Sequence, residues 1–258
     1  MSQALVSGQV SGVERIIRLG TTVVFMARGS PKQAGVARVP DVSRDHFHSL
    51  LKPLFLGLAS VLLALAFMHL GSEVMEGDTR GFDNRLLHLA GSLRIDRAWL
   101  VGVLEDLSAL GSTTALTLFT IITVGYLAMV SSRLTALLVG ASTISAIALV
   151  EVFKSAFGRA RPDAALAELV VPGLSFPSGH ASMSAVVFLT IGALVASTRS
   201  RVPERTYVLA CAALMTLLIG GSRVALGVHW ATDVLGGWAF GAAWASAWLL
   251  VARWLTKQ

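Results

Sequence analysis

Charge is what this chain has least of. Asp, Glu, Lys and Arg together make up 14% of its 258 residues, against about a quarter in a soluble domain. That is too little polar surface to cover a water-facing fold of this length. Cysteine is scarcer still: Cys211 stands alone, which excludes an intrachain disulfide and a Cys-built metal site. Cys211 falls inside an apolar run and reads as a packing residue. The extreme N-terminus, Met1 to Val13, is small and polar and lacks the apolar core of a cleavable signal peptide. The chain also lacks the internal repeat that marks inverted-repeat transporters.

Apolar length is what the chain has instead. Hydrophobic residues account for 54% of it and the mean hydropathy is +0.70. Several runs reach the roughly 20 residues needed to cross a bilayer. Lipid tolerates only helices or closed barrels, so the expected fold is all-α, a polytopic membrane helical bundle with six transmembrane helices. The expected spans are 53–70, 113–130, 134–157, 181–197, 207–226 and 231–255. Between the first two, "GFDNRLLHLAG" reads as a short helix at the membrane surface. Residues 97–112, interrupted by Glu105, Asp106 and Gly111, read as an interfacial helix. Residues 53–258 thus form one membrane domain and 1–52 a cytoplasmic tail. Within that tail, "VERIIRLGTTVVFMARG" is too short and too charged to span. It reads either as an interfacial amphipathic helix or as tail without fixed structure.

A net charge of +6 could point to nucleic acid, but its distribution points elsewhere. The N-terminal tail, the even-numbered loops and the C-terminus hold 13 of the 21 Lys and Arg residues. That asymmetry is the positive-inside pattern and puts both termini in the cytoplasm. The loops after the first, third and fifth spans then face outward. Trp99, Trp230 and Trp254 fall near span ends, where interfacial aromatics belong. In the last span Gly237 and Gly241, followed by Ala245, give a small-residue stripe suited to close helix packing within the monomer.

Three polar clusters fall on the expected outer side. "KSAFGRARP" ends the third span, and its Lys154 and Arg161 are seven residues apart, almost two helical turns, hence expected on one helix face. Two such cations suit a phosphate dianion. "FPSGHAS" opens the fourth span, with Ser178 at an N-cap position, Gly179 beside it and His180 next to the anion site that a helix N-terminus makes. "GGSRVALGVHWATDV" joins the fifth and sixth spans, with Arg223, His229 and Asp233. His229 and Asp233 are four apart, so the carboxylate can hold one ring nitrogen and leave the other free as nucleophile or base. Each cluster alone has a plain structural reading: a helix cap, snorkelling cations, a structural His–Asp pair. Their convergence on one membrane face is what argues for a site.

The ordered trio KxxxxxxRP (Lys154, Arg161, Pro162), PSGH (Pro177–His180) and SRxxxxxHxxxD (Ser222, Arg223, His229, Asp233) resembles the signature of the type 2 phosphatidic acid phosphatase family. That superfamily also holds the vanadium haloperoxidases and bacterial acid phosphatases. The resemblance covers about 134–251 and implies a lipid phosphate hydrolase. In it His229 attacks phosphorus and becomes phosphohistidine, Asp233 orients His229, and His180 protonates the leaving group. Lys154, Arg161, Ser178, Gly179 and Arg223 hold the phosphoryl oxygens. It implies no metal and no cofactor, and a lipid phosphate substrate among membrane lipids. The placing of the basic residues argues against nucleic acid as a partner and puts the site on the outer face, and the size and style of the chain suggest a bacterial inner membrane. Undecaprenyl diphosphate, phosphatidylglycerophosphate, phosphatidate and a lipid A phosphate all fit that class. The short 162–177 loop favours a carrier-lipid diphosphate or a phosphatidyl monoester. The competing readings are a lipid phosphotransferase with the same residues, and a non-enzymatic transporter or scaffold with charges lining a path. His46, His48, His69 and His88 match nothing in the signature.

Overall fold

The computed structural model describes residues 13–19, 22–27, 36–38 and 42–256 except 170. The chain divides into two units, Met1–Lys52 and Pro53–Gln258. The first contains an antiparallel sheet of β1 (Val13–Leu19), β2 (Thr22–Ala27) and β3 (Val36–Arg38), in that order. Strands β1 and β2 pair from Leu19↔Thr22 to Val13↔Ala27. The stretch expected as an interfacial helix or loose tail is therefore a hairpin. Its Val, Ile, Thr and Phe content favours extended backbone over helix.

The second unit is helical. The first span, Pro53–Glu76, belongs to α1 (Val42–Glu76). There follow α2 (Arg80–Arg94), α3 (Ala98–Ala109), α4 (Thr113–Val130), α5 (Arg133–Phe157), α6 (Gly179–Ser197), α7 (Val202–Ala225) and α8 (Ala231–Leu255). Among the described residues, six helices are long and apolar enough to cross a membrane. The six expected spans all exist, and α2 and α3 are the two short helices foreseen between the first pair. The first span runs six residues past its expected end at Leu70, because a helical backbone needs no apolar side chains to continue as far as Glu76. Leu58, Leu62 and Leu65 of α1 and Ile121 and Ile122 of α4 are more than half exposed. In water such surfaces promote aggregation, whereas in a bilayer they are the expected lipid-facing side chains.

Helix α6 is the most buried of the six spans. Six of its nine buried positions are small (Ala181, Ser182, Ser184, Ala185, Gly192, Ala196), which lets neighbouring backbones approach. A Cβ on Gly237 of α8 would stand 2.9 Å from both the Ala181 Cβ and the Ser178 carbonyl oxygen, and one on Gly241 would collide with the Ser182 carbonyl oxygen. The small-residue stripe thus serves packing within the chain, of α8 on α6. Around that pair an aromatic core closes: Phe176, fully buried, stacks on Phe67 of α1 at 5.7 Å and meets Phe157 of α5 edge-on at 4.8 Å.

Helix α2 ties two spans together by their ends. Its buried Asp83 accepts from the Thr232 backbone N–H at 2.9 Å, in the first turn of α8. Arg94, at the opposite end of α2, donates to the Ala225 carbonyl at the end of α7 and to the Leu166 carbonyl at 2.7 Å. It also pairs with Glu168 at 2.9 Å. A carboxylate at a helix N-terminus and a guanidinium at a helix C-terminus each complement the local partial charge. Sequence order alternates helix direction, so the end of α5, the start of α6, the end of α7 and the start of α8 meet at one end of the bundle.

Gly241→Val is expected to lower the thermal midpoint in detergent by an amount matching about 1–3 kcal/mol of overpacking. Gly125→Ala, on α4 where an added Cβ meets nothing within 4 Å, is the control expected to leave it unchanged. Equal midpoints for Gly241→Val and wild type would contradict the packing described here.

Candidate active site

The site begins where α5 stops. Gly158 caps the helix with φ of +61°, a left-handed conformation that favours glycine. The helix therefore ends at Phe157, and Arg161 lies in the loop beyond it. The expectation that Lys154 and Arg161 share a helix face is wrong: the seven-residue spacing does not bring them together by helical periodicity. Arg161 reaches back instead, donating to the Gly173 carbonyl at 3.1 Å, to the Val228 carbonyl at 2.9 Å and to His229 Nε2 at 2.9 Å. Lys154, in the last turn of α5, pairs with Glu151 at 2.9 Å. Its Nζ lies 3.6 Å from where a Gly179 Cβ would stand, so only a bare backbone separates it from the start of α6.

Ser178 is the N-cap of α6, with extended backbone and a side chain that makes no capping bond. Its N–H donates to the Asp233 carbonyl at 3.0 Å, while its buried hydroxyl finds no partner among the described residues. The Gly179 and His180 amides occupy the first turn, where helix N–H groups are free to meet an anion. Arg223, at the end of α7, donates through Nη1 to Ser108 of α3 at 2.5 Å, and its buried Nε is likewise without a partner among the described residues.

His229 precedes α8, and Asp233 lies in that helix's first turn. The Nδ1 to Asp233 Oδ2 distance is 3.2 Å. Arg161 has only donors, so Nε2 must accept from it; the neutral ring then carries its proton on Nδ1, which donates to Asp233. Burial lowers the His229 pKa to about 4, only partly offset by its hydrogen bond and attraction to Asp233 and reinforced by Arg161 and Arg223. Arg161 is lowered by burial too, against the pull of Asp233. His229 is thus neutral at ordinary pH, with an unprotonated Nε2 turned toward Arg161.

Six of the eight residues expected at the site (Lys154, Arg161, Gly179, His180, Arg223 and His229) line one cavity of about 260 Å³. Ser178 and Asp233 lie just behind it, fully buried. The cavity continues down α5 through Glu151, Val150, Ile147 and Thr143 and across to Leu116 and Thr117 of α4. From Lys154 to Thr143 it follows about 16 Å of helix, apolar apart from Glu151 and the threonines.

Several polar residues at the site were not foreseen. Ser175 donates a short hydrogen bond to Asp233 Oδ2, and the Trp230 N–H donates to the same oxygen at 2.9 Å. Arg159 Nη1 meets Asp233 Oδ1 at 2.7 Å and Thr232 Oγ1 at 2.8 Å, while its Nη2 meets Asp83 Oδ2 at 2.6 Å. The sequence does mark Ser175 and Arg159 by position, one beside "PSGH" and the other two residues before Arg161. Nothing in it marks Asp83.

A bundle of membrane-length helices holds a histidine–aspartate pair and three cations around one cavity, an arrangement suited to phosphate at a membrane. A family model, the PAP2 superfamily, matches residues 135–257. Phosphatidylglycerophosphatase B of Bacillus subtilis (strain 168) is 33% identical over 189 residues, 70% of this chain and 88% of that protein. The crystal structure of a transmembrane PAP2-type phosphatidylglycerolphosphate phosphatase from Bacillus subtilis superposes with a TM-score of 0.67 at 28% identity, over 77% of this chain and 97% of that one. Aquifex aeolicus LpxE shares the fold, with a TM-score of 0.50 at 24% identity over 65% of this chain and 94% of that one. The chain belongs to the PAP2 superfamily and is an integral membrane phosphatase of that type.

At about pH 5.5, a unit below the ordinary histidine pKa, the ring ¹⁵N shifts of His229 are expected to be those of the neutral Nδ1–H tautomer. Imidazolium should form only as the pH falls toward about 4. An imidazolium spectrum at pH 5.5 would contradict the burial argument.

Proposed function

We propose that the enzyme hydrolyses a lipid phosphate through a phosphohistidine intermediate, without a metal. The observation that carries this reading is the unprotonated His229 Nε2 facing a cavity whose polar end is cationic and whose other end is apolar. The phosphate of a lipid would sit among Lys154, Arg161, Arg223 and the first amides of α6, with its tail along α5. Arg161 would turn its Nη1 from Nε2 onto the phosphoryl oxygens, and the freed Nε2 lone pair would attack phosphorus, forming an N–P bond as the P–O bond to the lipid breaks. Asp233 would hold the Nδ1 proton and stabilise the charge that develops on the ring. His180 would give its proton to the departing lipid oxygen and then take one from the water that cleaves the N–P bond, releasing inorganic phosphate.

Three fixed cations repel a divalent metal ion and supply the positive charge that a phosphoryl transition state needs. The favoured substrate is a phosphatidyl monoester of the phosphatidylglycerophosphate type, with a carrier-lipid diphosphate second. The Bacillus relatives support that order by what their names say they act on. The Lys and Arg asymmetry supports cytoplasmic termini and a site on the outer face, and the Bacillus relatives support a bacterial inner membrane.

The test is phosphate release by the purified protein in detergent, with excess EDTA, from phosphatidylglycerophosphate, phosphatidate and undecaprenyl diphosphate. Release despite EDTA, fastest with phosphatidylglycerophosphate and lost in His229→Ala, is the expected result. Loss of activity with EDTA, or full activity in His229→Ala, contradicts the mechanism. Transfer of phosphate to an added lipid alcohol without release points to a phosphotransferase.

A further inference from the structure

We propose that the catalytic unit extends beyond the three motifs to α2, where Asp83, acting through Arg159, is a positioning residue for Asp233 and His229. Asp83 lies outside residues 135–257, the part of the chain that matches the family model. Its carboxylate is 1% exposed and accepts three hydrogen bonds. Oδ1 takes the Thr232 N–H at 2.9 Å, and Oδ2 takes the Thr232 hydroxyl at 2.7 Å and Arg159 Nη2 at 2.6 Å. The other arm of the same guanidinium, Nη1, meets Asp233 Oδ1 at 2.7 Å. Arg159 is clamped from the side as well, with its guanidinium carbon 5.4 Å from the centre of the Trp230 ring.

The division of the fork is what matters. A guanidinium beside a carboxylate tends to bind it through both arms, covering both oxygens. Here Asp83 holds one arm away, so Arg159 grips only Oδ1 of Asp233. Oδ2 is left to the three donors that serve the histidine and its helix: His229 Nδ1–H, the Trp230 N–H and the Ser175 hydroxyl. Without the Asp83 charge, both arms of Arg159 are free to turn on Asp233 and to compete with His229 for Oδ2. The ring would lose the bond that fixes its plane and the aim of Nε2, although neither Asp83 nor Arg159 lines the cavity that holds the substrate.

The proposal rests on the phosphatase reading, and a double-mutant cycle in purified full-length protein separates the two. Asp83→Asn is expected to lower kcat by about 10- to 100-fold, the usual cost of losing a residue that orients a functional ligand. KM for phosphatidylglycerophosphate should stay within about twofold, because no substrate contact is removed. In an Arg159→Lys background, where a single ammonium cannot straddle both oxygens, the same change should cost under about threefold. No activity in wild type sinks the phosphatase reading itself. A wild-type activity that His229→Ala abolishes but Asp83→Asn leaves unchanged overturns this proposal alone. So does a loss of equal size in the wild-type and Arg159→Lys backgrounds, which would mark Asp83 as merely structural. Where Asp83→Asn does not purify in folded form, Arg159→Lys alone decides: a drop in kcat at constant KM supports the proposal, and wild-type kcat overturns it.

Discussion

A buried imidazole is useful as a nucleophile only when one ring nitrogen is pinned and the other faces the substrate. The His229–Asp233 hydrogen bond meets both conditions, and the rest of the site is arranged around it. Asp233 is itself a buried charge and would be costly if left unpaired. It is paired on one oxygen by Arg159 and hydrogen-bonded on the other by Ser175 and the Trp230 backbone. Arg161 then approaches His229 from the cavity side, and its donor-only chemistry fixes which nitrogen is bare. The charges lie at the ends of spans, where their partners are other helix ends, and the buried polar side chains deeper in the bundle are uncharged serines and threonines such as Ser142, Ser184, Thr190 and Thr216.

Close helix packing makes that geometry possible. Ser178 and Asp233 touch through a backbone hydrogen bond of 3.0 Å, and they do so because Gly237 and Gly241 let α8 lie against the α6 backbone. The helix that follows the proposed nucleophile and the turn proposed to bind the phosphate are thus parts of one contact. Phe176, immediately before that turn, seals it from below by packing against α1 and α5. The apolar continuation of the cavity between α4 and α5 suits a substrate that arrives from the bilayer with its phosphate at the rim.

Much of this is legible from residue order. Long continuous apolar runs, without the alternation of a barrel strand, mark the six spans as helices, and the three motifs bring six of the eight expected residues to one cavity. Other features are not legible, for physical reasons. The spacing of Lys154 and Arg161 suggests a shared helix face, but Gly158 ends the helix first, and Arg161 reaches the site from a loop. The "RAR" sequence offers two arginines whose roles only three-dimensional contacts distinguish: Arg161 faces the cavity and Arg159 faces away from it, toward Asp83. Asp83 sits on a short polar helix some 70 residues before the motifs, and long-range hydrogen bonds of that kind leave no periodic trace. The N-terminal hairpin escapes a sequence reading because a charged amphipathic stretch fits either period when it is this short.

The most direct test of the central claim, that His229 Nε2 is the nucleophile, is to trap the phosphoenzyme. Wild-type protein would be mixed with a ³²P-labelled lipid phosphate, quenched within a turnover and digested to peptides. Label that is acid-labile, stable to base and confined to the peptide carrying His229, and missing in His229→Asn, is the result expected. Rapid phosphate release from wild type with no protein-bound label at any quench time, or label on another residue, would contradict it.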